Sequence, residues 1–309
     1  MGIMNNLAFI FPGQGSQTTG MGKDLYSNYK IAKTMYQQAD DFFNFSLSKI
    51  SFEGPDELLK KTTFTQPALY VNSCIISSIL NEIDIFPKVV AGHSIGELSA
   101  LFSAGSITFE EGLKIVKKRS EVMDHAGLKK PGTMAAIIGA SLEELNIICN
   151  QEEIVVAANF NSKEQIVISG TIMGVKNAVK TGKKLGLKRI FPLKVSGAFH
   201  SPLMNEAQSN LKKTIDKIKF ENAKIPVFQN YHSKPVSNSS ELKENFIKQL
   251  TNSVLWYQSI NNIIQNDINT FLEIGPSNVL QRLNRRINKN TVNFSVSNTN
   301  EINNIKNEL

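Results

Sequence analysis

Chemistry in this chain starts from one serine and a short list of possible bases. The stretch Gly92-His93-Ser94-Ile95-Gly96 has the spacing G-x-S-x-G. It follows the apolar run Val89-Val90-Ala91 and precedes a helix-forming run, Glu97 to Ala104, that Gly105 stops. A serine on a tight strand-to-helix turn is the geometry of a nucleophile elbow. The turn pushes the hydroxyl outward, and the glycines leave room for neighbouring backbone. An ordinary glycine turn has the same spelling, so partners must decide. The candidate bases are the four histidines His93, His125, His200 and His232. In "SGAFHSPLM" (196–204), Ser201 suits an N-cap and Pro202 the first helical position. His200 is therefore expected just ahead of a helix N-terminus, whose partial positive charge disfavours imidazolium. Neutral imidazole is what a general base for Ser94 requires. His125 and His232 read as helix-end and loop surface residues, and His93 as a buried structural one.

Two further features bear on a site. Arg119 lies four residues after Ile115 and three before Val122, on or beside the apolar stripe of its helix. Either its stem snorkels along that face to water, or its guanidinium is held inside and needs an anion. A carboxylate suits the planar bidentate fork. The loop "FPGQGSQTTGMGK" (11–23) resembles a phosphate cradle but fails both spacings. Thr18 stands where G-x-G-x-x-G needs glycine. Gln17 and Asp24 break the G-x-x-x-x-G-K-[ST] pattern. Such a loop directly after a strand can instead aim Gln14 at the elbow. The Gln14 amide and the Ile95 N–H are then the pair of donors an oxyanion needs.

The elements that must hold these residues alternate. "LAFIF" (7–11) and "KVVAG" (88–92) read as strands and 67–83 as a helix. The segment 108–127 reads as a helix with a Thr108/Glu111 capping box that ends at Gly127. This is α/β layering with a parallel sheet. The order then becomes strand 133–139, helix 141–150 with a Ser141/Glu144 capping box, and strands 154–160 and 165–170. A helix over 175–186 and a strand over 188–195 complete it. That β-α-β-β-α-β order predicts a small ferredoxin-like subdomain, 128–197, inserted in a larger one formed by 1–127 and 198–309. The helix from about Pro202, the strand "IPVFQN" and "TFLEIGP" (270–276) follow, and the polar last ten residues are expected to fray.

Composition narrows the class. The 309 residues are 41% hydrophobic and 20% charged, with no apolar run long enough for a membrane span. The amino terminus lacks the basic start and cleavage site of a secretory signal. Cys74 and Cys149, without metal-ligand spacing, fit reduced thiols of an intracellular, cytoplasmic protein. The net charge of +7 suits an anionic partner or reflects a Lys- and Asn-rich composition. No basic run interleaved with aromatics marks a nucleic-acid surface.

Taken together, "FIFPGQGSQ", "FTQPAL", "GHSIGE", Arg119 in its helix, "NFNS", "GAFHSPLM" and "EIGP" occur in order from residue 9 to 276. The chain resembles the malonyl-CoA:acyl carrier protein transacylases of fatty-acid synthesis over nearly its full length. The resemblance implies an α/β-hydrolase-like core with a parallel sheet and a ferredoxin-like insert. It implies Ser94 as the acylated nucleophile, His200 as base and later acid, and Gln14 with the Ile95 N–H as oxyanion hole. Arg119 becomes the clamp on the malonyl carboxylate, and Gln66, Asn159, Asn161 and Phe199 fall near the pocket. The partner of the base is then a main-chain carbonyl, by motif position that of Gln249, so no triad Asp is needed. Gly197, where related multidomain enzymes often carry His, and Ser253, in place of a frequent proline, depart from the pattern and bear on selectivity.

The implied reaction is ping-pong exchange from thioester to serine ester to thioester, with no metal or redox cofactor. Malonyl-CoA and an acidic, phosphopantetheinylated carrier protein are the implied partners. Lys188, Arg189, Arg282, Arg285 and Arg286 are the candidate docking cations, and the chain is expected to be a monomer. The rival readings are a serine hydrolase, an acyltransferase of a polyketide pathway, and an inactive carrier-binding scaffold.

Overall fold

A computed structural model describes residues 6–308 of the chain. The reading of the amino terminus falls partly on residues 1–5 and to that extent lies outside the described residues. Among the described residues ten strands form two sheets. The first, in spatial order, contains Val292–Val296 (β10), Thr270–Ile274 (β9), Leu7–Phe11 (β1), Val89–Gly92 (β2), Val227–Phe228 (β7) and Pro235–Val236 (β8). Its pairs are parallel except β7 with β8. β1 is flanked on both sides and all five of its residues are buried, as a parallel strand covered on both faces must be. The second sheet is antiparallel, with Val155–Phe160 (β4), Gln165–Thr171 (β5), Gly132–Ile138 (β3) and Arg189–Pro192 (β6) in that order. The helices Leu142–Cys149 and Ile172–Lys184 pack on it. Ile137, Ile168, Leu145, Ile148 and Val175 form its own apolar core.

Adjacent parallel strands deliver their loops to one edge. The register pairs Phe11 with Gly92 and Ile10 with Glu273, so the loops after β1, β2 and β9 emerge side by side. Gln229 and Asn230 join them from the end of β7. Crevices outside the carboxyl ends of parallel strands are where α/β sheets carry their sites. Packing there is tight. A Cβ on Gly96 would stand 2.1 Å from the Phe11 carbonyl oxygen, so the helix Gly96–Ser103 crosses β1 only with glycine at that position.

Several elements differ from the sequence expectation. The helix expected from residue 67 begins at Thr62 and carries Pro67 inside it. Pro67 is the sixth residue of that helix, so it gives up the one bond a backbone N–H there would make to the Thr63 carbonyl, and the helix continues past it. The helix expected to end at Gly127 runs Phe109–Lys129. Gly127 is a point of close approach instead: a Cβ there would lie 2.2 Å from the Ser196 carbonyl oxygen, on the segment that leads to His200. The chain's end does not fray but forms the helix Thr299–Glu308, because Ile302 and Ile305, three apart, are buried. β10 is an element the sequence pattern does not mark, since its alternation of Val292, Phe294 and Val296 is short and flanked by polar residues.

Candidate active site

Ser94 occupies the turn between β2 and the helix Gly96–Ser103, with φ at 53°, a left-handed conformation costly for a residue with a Cβ. Its Oγ lies 2.8 Å from His200 Nε2. His200 is left-handed as well, at φ 57°, and its Nδ1 lies 2.9 Å from the Gln249 carbonyl oxygen. A carbonyl can only accept, so Nδ1 carries the proton, and Nε2 is the acceptor that faces the serine.

The neutral state of His200 has a different origin from the one expected. Ser201 accepts from the Leu203 N–H as a cap does, but Pro202–Met204 is a single 3₁₀ turn, and the helix proper starts at Asn205. Burial, reinforced by the nearby Arg119 charge, pushes the imidazole down to about 3, against the opposing pull of the Gln249 carbonyl. The shift has a stability consequence. A histidine depressed below its unfolded value near 6.5 contributes stability above that pH and loses it as pH falls toward the folded value. The expected result is a His200 ring that stays neutral from about pH 5 to 8 in its NMR shifts; titration near 6.5 would contradict the burial argument.

Arg119 is fully buried, so its guanidinium does not snorkel to water. Nη1 donates to Gln66 Oε1 at 2.8 Å, and Nη2 donates to Gln249 Oε1 at 3.0 Å and to Ser94 Oγ at 3.1 Å. All three acceptors are neutral, and Nε has no hydrogen-bond partner among the described residues. Burial lowers Arg119 to about 10, and the charge of Glu97 only partly offsets this. A buried cation whose hydrogen-bond partners are all neutral has the chemistry to accept an anion from outside.

Ser94 and His200 face a cavity of about 350 Å³, and Gln14, Gln66, Ile95, Asn159, Asn161 and Phe199 also line it. Arg119 and Gln249 lie behind that lining and reach it through Ser94 and Gln66. Gln14 Nε2 donates to Thr62 Oγ1 in a long contact of 3.3 Å. The Ile95 N–H donates to no protein group among the described residues. Asn159 reaches the cavity through a bulge at Ala158, where β4 slips against β5; bulges re-aim side chains in this way. Asn161 Oδ1 sits 2.8 Å from His93 Nε2, which ties His93 to the cavity wall. His125 is exposed in its helix, and His232 bonds to the Lys234 N–H and Asn245, away from the cavity. Of the five proposed docking cations, Arg282 and Arg286 line the cavity. Arg285 is exposed on the same helix, and Lys188 and Arg189 are exposed around the start of β6. Among the described residues no three His, Cys, Asp or Glu side chains gather as a metal site, and no helix is long and apolar enough to cross a membrane.

Sequence reasoning missed the groups behind the elbow. Asn230 Oδ1 accepts from the Ser94 N–H at 2.8 Å, while its Nδ2 donates to the Gly92 carbonyl at 2.6 Å. The buried Glu97 carboxylate takes the Asn230 N–H at 2.6 Å and the Gln229 amide at 3.2 Å. Beyond its carbonyl, Gln249 donates through Nε2 to the Ser94 carbonyl at 3.1 Å. Glu97 stands inside "GHSIGE", but Asn230 lies 136 residues from Ser94, and only the pairing of β7 with β2 brings it there. Asn230→Ala should relax the strained turn and lower the reactivity of Ser94 toward a neutral sulfonyl fluoride on the order of tenfold to a hundredfold, as small misplacements of a nucleophile do. Unchanged labelling in a folded variant would show that the turn holds itself.

Comparison with known proteins agrees with this geometry. Residues 8–302 match the family model described as an acyl transferase domain. The chain is 41% identical over 298 residues to the malonyl CoA-acyl carrier protein transacylase of Bacillus subtilis, covering 95% of this chain and 94% of that one. Its fold matches the solved malonyl CoA-acyl carrier protein transacylase of Coxiella burnetii at TM-score 0.95 and 36% identity, with 98% of each chain covered. A malonyl-transacylase solved in complex with a type II PKS acyl-carrier protein matches at TM-score 0.95 and 34% identity, covering 98% of this chain and all of that one. With a serine on a strained elbow, an imidazole held neutral against it and a buried guanidinium facing both, the chain belongs to the acyltransferases, in the family of malonyl CoA-acyl carrier protein transacylases.

Proposed function

We propose that the cavity transfers a malonyl group from malonyl-CoA to the phosphopantetheine thiol of an acyl carrier protein through an ester on Ser94. The observation that carries this reading is Arg119, a fully buried guanidinium with neutral partners only. Malonyl thioesters present a carboxylate two carbons from the reacting carbonyl, and that carboxylate would complete the charge pair next to Ser94.

Ser94 Oγ attacks the thioester carbonyl and passes its proton to His200 Nε2, while the Gln249 carbonyl holds the opposite ring N–H. The negative charge that forms on the carbonyl oxygen is taken by the Gln14 amide and the Ile95 N–H. An oxyanion outcompetes the long Thr62 contact of Gln14. As the tetrahedral intermediate collapses, imidazolium returns the proton to the departing CoA thiolate. In the second half the carrier thiol loses its proton to His200 and attacks the serine ester. CoA sulfur is thereby exchanged for carrier sulfur, and Ser94 recovers its hydrogen. Arg119 would keep the acyl group in one orientation through both halves. Fatty-acid synthesis is the setting we assign, with a polyketide pathway as the alternative. A serine hydrolase would use the same Ser94–His200 pair with water, but an esterase has no use for the inward cation.

The finer architecture belongs to the same reading. We take the large parallel sheet as an α/β-hydrolase-like core (1–127 and 198–309). We take 128–197 as a ferredoxin-like insert, supported by the strand order β4-β5-β3-β6 of a β-α-β-β-α-β unit. A cytoplasmic monomer remains the expected state.

Intact-mass measurement after brief exposure to malonyl-CoA tests the first half-reaction: a malonyl ester on Ser94 is expected, and a protein that only hydrolyses the thioester points to the hydrolase. The docking surface has its own test. Reversing Arg189 and Arg285, two exposed candidate cations outside the cavity lining, to Glu should slow transfer to an acidic carrier protein, most at low salt, more than acylation by malonyl-CoA. Equal losses in both half-reactions would remove these cations from the docking surface.

A further inference from the structure

The "EIGP" segment (273–276) carries a buried charge that the reaction above does not use. Glu273 lies on β9 with its side chain wholly inaccessible to solvent. Its carboxylate accepts the Gln281 N–H at 2.8 Å and a bond from Ser277 Oγ at 3.4 Å, and the Val279 and Leu280 N–H groups lie near enough to favour its charged form. These N–H groups open the helix Val279–Ile287, whose N-cap residue, Asn278, makes no side-chain cap bond. The donors that a helix leaves without partners in its first turn are thus satisfied by a carboxylate from another element. Burial pushes that carboxyl up to about 7, and the helix N–H bonds act to hold it down.

This helix is a wall of the cavity. Val279, Leu280 and Leu283 line it, and Arg282 and Arg286, one turn apart, stand on the same lining. Arg286 reaches across to Gln165 on β5 at 3.3 Å, so the helix closes the cavity against the second sheet. The helix's attachment at its start sets where this wall and its two cations stand.

We infer that Glu273 is a positioning residue for thioester recognition: it fixes the start of the helix Val279–Ile287 and through it holds Arg282 and Arg286 where the anionic arm of an acyl-thioester donor passes. The inference rests on the malonyl-transfer reading for its choice of donor. It predicts a defect that depends on how much of the donor lies beyond the acyl group.

The test compares malonyl-CoA with malonyl-N-acetylcysteamine, which keeps the malonyl thioester and lacks the nucleotide and its phosphates. The readout is the ratio of kcat/KM for the two donors in wild type, Glu273→Gln and Glu273→Ala. Removal of a helix cap is worth about a factor of ten, so the ratio should fall roughly tenfold in Glu273→Ala, through KM for malonyl-CoA. It should fall less in Glu273→Gln, which keeps an acceptor for the Gln281 N–H. Amide hydrogen exchange should rise over 279–287 in Glu273→Ala without a matching rise at the elbow. A ratio equal to that of wild type in both variants overturns the inference, as does exchange that rises equally throughout the chain. Failure of the malonyl reading is seen separately, as a wild-type protein that forms no malonyl ester on Ser94.

Discussion

Ser94→Ala abolishes both the malonyl ester and transfer to the carrier, because among the described residues no other nucleophile bonds the Nε2 of His200. His200→Ala leaves the serine in place but without a proton acceptor, and acylation slows by a factor on the order of 10² to 10⁴, the usual range for a positioned base. The two effects separate in a single-turnover experiment with malonyl-CoA, read by intact mass. Ser94→Ala gives no adduct at any time, whereas His200→Ala gives the same adduct late. The donor from Arg119 to Ser94 Oγ survives in His200→Ala and continues to support the alkoxide, so residual acylation is expected rather than none. An adduct of full size on Ser94→Ala would move the nucleophile elsewhere.

The second large effect is on substrate choice. In wild type, acetyl-CoA would leave the Arg119 guanidinium with no carboxylate in contact and only the nearby Glu97 charge as partial compensation, whereas malonyl-CoA would supply a carboxylate. Leaving one member of a buried charge pair alone costs about 3–5 kcal/mol, so preference for malonyl is expected to exceed 10² or so. Arg119→Ala removes the penalty and opens space beside Gln66 and Gln249. Malonyl use should fall sharply while acetyl use holds or rises. Arg119→Lys keeps the charge but cannot bridge Gln66, Ser94 and Gln249 with one planar fork, and rescues malonyl only in part. The measurement is the ratio of initial acylation rates for the two thioesters. The same ratio in all three proteins would leave Arg119 with no part in selection.

Local spelling carried much of the site. A nucleophile elbow is a run of five residues, so Ser94 can be picked out as a candidate without a fold, and only its partners separate it from an ordinary glycine turn. Both capping boxes, Thr108 with Glu111 and Ser141 with Glu144, formed as read, because each is closed by bonds between residues three apart. The loop after β1 is likewise short-range: a glycine-rich segment directly after a buried strand can put Gln14 at the end of the sheet and nowhere else.

Other features needed the tertiary structure. Periodicity put Arg119 on or beside an apolar stripe but left open whether its charge ended in water; the packing of Gln66 and Gln249 around it decided that. Asn230 acts on Ser94 only because β7 pairs with β2, and Asn159 reaches the cavity only through the bulge at Ala158. The chain's end looked too polar to hold, yet Ile302 and Ile305 bury themselves, since the neighbours that cover them come from other parts of the chain. The neutral imidazole of His200 was expected from a helix terminus and comes from burial and a cation instead. What the sequence alone determined here are arrangements closed by bonds or contacts within a few residues. Whether a charge is buried, and which distant side chain meets which, depends on loop closures over a hundred residues or more, whose partners no local pattern names.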